Sequence, residues 1–172
     1  IKKNQKKIVF ADGEDENTLK AAIAFKNSKF GIPILVGKEK KIKEQLKKIG
    51  YSGNLDIEIV NSKDKEKREK YLKFLFEKLQ RKEGLLERDC DRIIRNDRVI
   101  WTTCMVACGD ADGAVTGNTR RFGASLKKIT QVIEGRPGEI MFGLNMVVHK
   151  GKTIFVGDTS VHEYPNANQL AD

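Results

Sequence analysis

Between Thr116 and Arg121 the chain reads TGNTRR, which sets two hydroxyls, an amide, a glycine and two guanidiniums side by side. Such a loop suits an anion. Backbone N–H groups at the start of a helix carry partial positive charge, Gly117 lets the backbone approach a guest closely, and an arginine binds phosphate through two parallel hydrogen bonds. A phosphate or phosphorylated ligand is the natural occupant, held by Thr116, Gly117, Asn118, Thr119 and Arg121. The same residue types also suit an ordinary strand-to-helix connection capped by Thr or Asn. The spacing is not that of a P-loop, and no Gly-x-Gly-x-x-Gly dinucleotide loop occurs.

Other reactive side chains give weaker patterns. The acidic EDEN after Gly13 has the oxygen ligands of a metal site, but at a helix start it reads as capping. Cys90, Cys104 and Cys108 are odd in number; Cys104 and Cys108 would share one helix face without the remaining ligands of a zinc site, so the three read as core thiols of a reducing compartment. His149 falls in a hairpin turn and His162 near the end, and with no serine nucleophile pattern both read as surface residues. No metal site is expected.

The elements that position the loop follow from periodicity. KIVFA predicts a strand, EDEN an acid-rich helix start, and residues 16–30 a helix; IPILVG is a second buried strand, followed by a lysine-rich helix to about Ile49 and a third strand at LDIEIV. Strands separated by helices imply crossovers and a parallel sheet. Residues 64–82 form an amphipathic helix interrupted by Gly84, LLERDCDRIIRND a second, and 99–107 a buried third. DGAVTG is the next strand, and 119–134 the helix that follows the anion loop. Residues 139–148 and 153–156 then pair antiparallel around HKGK. The expected fold is α/β, a three-layer αβα arrangement with a mostly parallel sheet and an antiparallel hairpin near the C-terminal end, the whole sheet being mixed.

Bulk numbers narrow the class. At 172 residues and 39% hydrophobic, the chain can build a core. No apolar run approaches the roughly 18 residues of a membrane span, and no charged n-region precedes an apolar stretch, so a soluble cytoplasmic protein is expected. The net charge of +9 sits entirely in residues 1–100, with 26 Lys+Arg against 17 Asp+Glu; residues 101–172 have 7 of each. Because the lysines are interleaved with acids on helical stretches and few aromatics are placed to stack bases, solvated helix faces are a better account than nucleic-acid binding. Ile1 at the start and a helix broken off after YPNANQLAD point to a piece of something longer.

Taken together, KKIVFADGEDENTLKAA, IPILVGK, QRKEG, GDADGAVTGNTRR, VIEGRPG and GDTSVHEYPNANQLAD resemble the phosphate acetyl/butyryl transferase family, the phosphotransacetylases, over nearly all of the chain. The family has stand-alone transferases, which move acetyl between coenzyme A and phosphate, and a related domain fused behind a malic enzyme. The stand-alone loop continues through His, Ser/Thr and Asp to Leu-Arg, whereas here Arg120, Arg121, Phe122, Gly123, Ala124 and Ser125 lead to Leu126-Lys127, and both the Asp and the Arg are absent. Arg121-Phe122, Leu126-Lys127 and GLNMVVHKGKTIFVGDTSVHEYP are more similar to the fused form.

The resemblance implies that residues 1–172 are the N-terminal part of a phosphotransacetylase-like domain cut at both ends from a longer protein. It implies a regulatory and oligomerising role, with acetyl-CoA, phosphate or acetyl phosphate as ligand. Arg81, Ser125 and Lys127 join the loop residues by this resemblance, Arg81 and Lys127 standing where the transferases carry arginines near the substrate phosphate. The family's catalytic aspartate and serine-arginine pair would lie beyond Asp172, so no catalytic residue is expected within the chain. NADP and a divalent metal would belong to the malic-enzyme part. The alternatives are a catalytic phosphate acetyltransferase and, on the charge bias alone, a basic nucleic-acid-binding module.

Overall fold

The computed structural model describes residues 5–51, 56–139, 141–157, 160–162 and 166–168. They divide into two compact units, 1–133 and 134–172.

In the first unit β1 (Lys6–Phe10), β2 (Gly31–Val36), β3 (Glu58–Val60) and β4 (Gly113–Val115) form one sheet in the order β3-β2-β1-β4, all parallel. Side chains alternate across it. Phe10 and Leu35, opposite each other in register, face α1 (Glu16–Asn27) and α2 (Glu39–Lys48) through Leu19, Ala22, Ile42 and Leu46. Val9, Ile34, Val36 and Val60 face α3 (Lys65–Glu83), α4 (Glu87–Asn96), α5 (Arg98–Ala107) and α6 (Phe122–Val132) through Tyr71, Leu75, Cys90, Ile94, Trp101 and Val132. The three expected layers are present, with two buried clusters on opposite sides of one sheet.

Local chemistry sets the helix ends. Asp15 caps α1 by accepting from Thr18 N at 2.9 Å, and Asp64 caps α3 by accepting from Lys67 N at 3.1 Å. Gly84 ends α3 in the left-handed region, φ 65°. The lysine-rich faces are laced with pairs such as Lys20–Glu16 and Lys43–Glu39, one turn apart. Burial raises all three thiols, that of Cys104 to about 12, so they stay protonated as core groups.

Gly31 is required by packing. A Cβ there would lie 2.5 Å from the Lys6 carbonyl oxygen and 2.8 Å from Phe25 Cε1, and Lys6 is its register partner in the sheet. The backbone oxygen cannot retreat without opening the ladder. Gly31→Ala is expected to destabilise by about 2 kcal/mol, lowering Tm by roughly 4–8 °C in a thermal melt.

In the second unit β5 (Leu144–His149) and β6 (Lys152–Gly157) pair antiparallel about Lys150 and Gly151, both at positive φ, 46° and 76°. A two-residue loop with both residues left-handed matches the twist of a hairpin. Leu144, Met146, Val148 and Phe155 line one face, Val147, Ile154 and Val156 the other, and all are exposed. This hairpin is a sheet of its own, so the expectation of one mixed sheet is corrected: strand alternation shows that two segments pair with each other, not which sheet they join. Leu55, expected in β3, and most of YPNANQLAD lie outside the described residues.

Candidate functional site

The chain runs outward from β1 to β2 and β3, then returns to place β4 on the other side of β1. At such a switch point the loops leaving the strands diverge and open a crevice at their C-terminal ends. Here the loop after β1, Ala11 to Asp15, meets the loop after β4, Thr116 to Arg121. Thr119 Oγ1 donates to Asp12 Oδ1 at 2.6 Å, and Asn118 Nδ2 donates to Asp15 Oδ1 at 2.6 Å and to Thr18 Oγ1 at 3.1 Å. Gly117 makes the bend between them at φ 99°, where L side chains are strained. Asp12 Oδ2 and Thr116 Oγ1 are buried there with no partner among the described residues. The Asp15 carboxyl is held below its usual range, first by the Thr18 backbone N–H and also by Asn118.

Those bonds take Thr119 and Asn118 out of a capping role. Thr119 and Asn118 reach back to the acidic loop, so neither caps α6; the N-cap is Arg121, whose side chain makes no capping bond. Among the described residues the first N–H groups of α6 are left without a side-chain cap. Arg121 is exposed and enters no ion pair among the described residues, and Lys127 is exposed on the same helix. Ser125 is 4% exposed, its Oγ buried without a partner among the described residues. Arg81 stands exposed on the last turn of α3; Glu83, two residues on, accepts from Gln131 near the end of α6. The loop lies at the start of α6, about 15 Å of helix rise away. Thr116, Gly117, Asn118, Thr119 and Arg121 are thus gathered at one loop, Ser125 and Lys127 follow on its helix, and Arg81 stands apart.

EDEN is capping and bracing. Besides Asp15 at α1, Glu14 accepts from Lys38 N at 2.8 Å and pairs with Arg98 at 2.8 Å and Lys41 at 3.5 Å. Burial opposes ionisation of Glu14, but these contacts outweigh it and lower its pKa. His162 Nε2 lies 2.9 Å from the Met141 carbonyl oxygen.

Asp97, which sequence reasoning read only as the end of a helix, proves central. It caps α5 through Val99 N at 2.9 Å and Ile100 N at 3.2 Å, pairs with Arg120 of the loop at 3.4 Å, and binds Lys128 of α6. Burial would raise its pKa, yet the Lys128 hydrogen bond, the Ile100 N–H and the two cations bring it down. Arg120 is therefore committed to the protein, whereas Arg121 enters no ion pair among the described residues. An Asp at a break between helical stretches is the one signal that pointed here; its long-range partners have no local signature. On the other side of Asp97 a cavity of about 240 Å³ opens above β2 and β3, with Trp101 in its wall.

A profile described as Phosphate acetyl/butaryl transferase matches residues 1–172. The chain belongs to this family. It is 39% identical over 167 residues to the probable NADP-dependent malic enzyme of Rickettsia prowazekii, covering 96% of this chain and 22% of that one. It is 30% identical over 173 residues to the phosphate acetyltransferase of Helicobacter pylori, covering 99% of this chain and 33% of that one. Among solved structures, the EutD phosphotransacetylase from Staphylococcus aureus superposes with a TM-score of 0.85 at 25% identity, covering 97% of this chain and 50% of that one. The family and the α/β fold expected from the motifs are both borne out. The chain spans about a quarter to a half of the length of these relatives, and no helix among the described residues is long and apolar enough to cross a membrane.

Proposed function

We propose that this chain is a phosphotransacetylase-like domain of a malic enzyme, an enzyme that oxidatively decarboxylates malate to pyruvate, and that it binds acetyl-CoA or phosphate to regulate that enzyme in the cytoplasm. The observation that carries the reading is the start of α6 behind the β4 loop, which has no side-chain cap and where Arg121 stands exposed, with Lys127 exposed farther along the same helix. The 39% identity to a malic enzyme favours this parent over a stand-alone transferase. Lys127, where the transferases carry an arginine, offers a point charge in place of a planar fork, which suits binding an oxyanion more than aligning one for transfer. Arg81 would contribute only if the ligand extends along α6.

The two-faced apolar hairpin supports a homo-oligomeric assembly role for the second unit. NADP and a divalent metal belong, on this reading, to the malic-enzyme portion. No dinucleotide loop of the Gly-x-Gly-x-x-Gly type occurs in the chain, and no cluster of three metal-binding side chains occurs among the described residues. The lysine excess is read as solvated helix surface rather than a nucleic-acid face, given its ion pairs with neighbouring acids.

The second reading is a phosphate acetyltransferase, in which a phosphate oxygen attacks the thioester carbonyl, the C–S bond breaks and coenzyme A leaves as the thiol; the 30% identity to one favours it. Assaying the parent enzyme with and without acetyl-CoA separates the two. The regulatory reading expects a severalfold change in malate oxidation and no acetyl phosphate. Lys127→Met should weaken the acetyl-CoA response about tenfold, the equivalent of one charge-assisted hydrogen bond. A malate rate indifferent to acetyl-CoA would overturn the regulatory role, and acetyl phosphate formation would transfer the assignment to the second reading.

A further inference from the structure

The cavity above β2 and β3 is separated from the β4 loop by Asp97, and nothing in the regulatory reading uses it. We infer that it is a second ligand site, one that takes a small oxyanion between Lys38, Arg98 and Trp101.

Position is the first argument. The cavity opens at the C-terminal ends of two parallel strands, walled by Val36, Gly37 and Asn61, the edge at which open parallel sheets receive ligands. Charge is the second. Lys38, Arg95 and Arg98 line it with Glu14 and Asp97; Arg95 is paired with Asp91 at 2.7 Å, and both lining carboxylates are already shared between two cations, Glu14 by Arg98 and Lys41, Asp97 by Arg120 and Lys128. Lys38 Nζ enters no ion pair among the described residues, so the wall carries surplus positive charge that an anion would balance. The third is an unmet donor. Trp101 lines the same cavity at 1% exposure, and its Nε1–H is buried without an acceptor among the described residues. Buried donors are almost always paired, and a small rotation of the indole toward the cavity would bring this one to an oxyanion seated there. Size is the fourth, because about 240 Å³ is below the range of pockets that enclose drug-sized ligands. A phosphate-sized or carboxylate-sized ion fits within that volume.

Trp101 is the chain's one tryptophan, so it reports on its own cavity. Inorganic phosphate and acetate, each titrated against potassium chloride at equal ionic strength, are the probes. The inference expects a saturable change in tryptophan fluorescence with one of them, phosphate assigning a phosphate site and acetate a carboxylate site. Lys38→Met and Arg98→Gln should each weaken it at least tenfold. Lys38 is exposed and unpaired, so its variant keeps the fold and keeps the test decisive if Arg98→Gln unfolds. Lys127→Met should leave the fluorescence response in place. A response no larger than that of potassium chloride, or one untouched by Lys38→Met, or one abolished by Lys127→Met, overturns the second site. Calorimetry of acetyl-CoA on the same variants keeps the two sites apart, because Lys38→Met should leave acetyl-CoA binding intact whether or not phosphate binds.

Discussion

Replacing Asp97 with alanine is expected to lower Tm by roughly 6–12 °C at neutral pH, the equivalent of about 3 kcal/mol in a domain of this size. Two losses combine. The cap of α5 is worth about 1 kcal/mol, and the remainder is the ion-pair centre that ties Arg120 and Lys128 to α5 through a side chain only 14% exposed. Because both cations are about one-third exposed and can turn to water, the cost falls below that of stranding fully buried charges. The sign of the pH dependence follows from the lowered carboxyl. Asp97 stabilises the fold above the ordinary carboxylate range, and its contribution disappears as pH falls through the depressed native value. Melting curves of the native chain and Asp97→Ala should therefore differ most near pH 7 and converge toward pH 3. Asp97→Asn, which keeps a capping oxygen, should fall between them. A difference under about 2 °C, or one of constant size across that range, would contradict a central role for Asp97.

Trp101→Ala should cost more, about 4 kcal/mol, and Tm should fall by roughly 8–16 °C. The ring is 1% exposed and meets Tyr71 edge-on, with centroids 5.0 Å apart and planes at 83°. Tyr71 in turn donates to Asp110 Oδ2 at 2.8 Å, and Asp110 is also held by Lys70. Removing the indole leaves a cavity in the middle of the larger cluster and frees the ring that orients this network. Trp101→Phe keeps most of the volume and should cost well under half as much. The check is urea unfolding followed by circular dichroism, since the variant has no tryptophan to observe. Equal midpoints for the alanine and phenylalanine variants would show that the ring is not packed as described.

The layers were legible because their signals are local. Val9 and Phe10 point to opposite faces whichever strand they pair with, and Asp15 and Asp64 announce helix starts by their own chemistry. Gly117 was readable for the same reason, since the bend needs a positive φ. What stayed hidden depended on distance. Thr119 and Asn118 look like caps for the helix that follows, and only the fold brings Asp12 and Asp15, more than a hundred residues earlier, close enough to claim them. Arg120 and Arg121 are equivalent in the sequence; Asp97 distinguishes them. The hairpin's two apolar faces read as strands, but whether such strands extend an existing sheet is decided by contacts no short window contains.

Amide chemical shifts of the isotope-labelled chain, followed as acetyl-CoA is added, test the central assignment most directly. Saturable shifts concentrated on Thr116 to Lys127, including the N–H groups that open α6, are the predicted result. Shifts confined to other elements, or none at millimolar acetyl-CoA, would contradict the placing of the oxyanion at that loop.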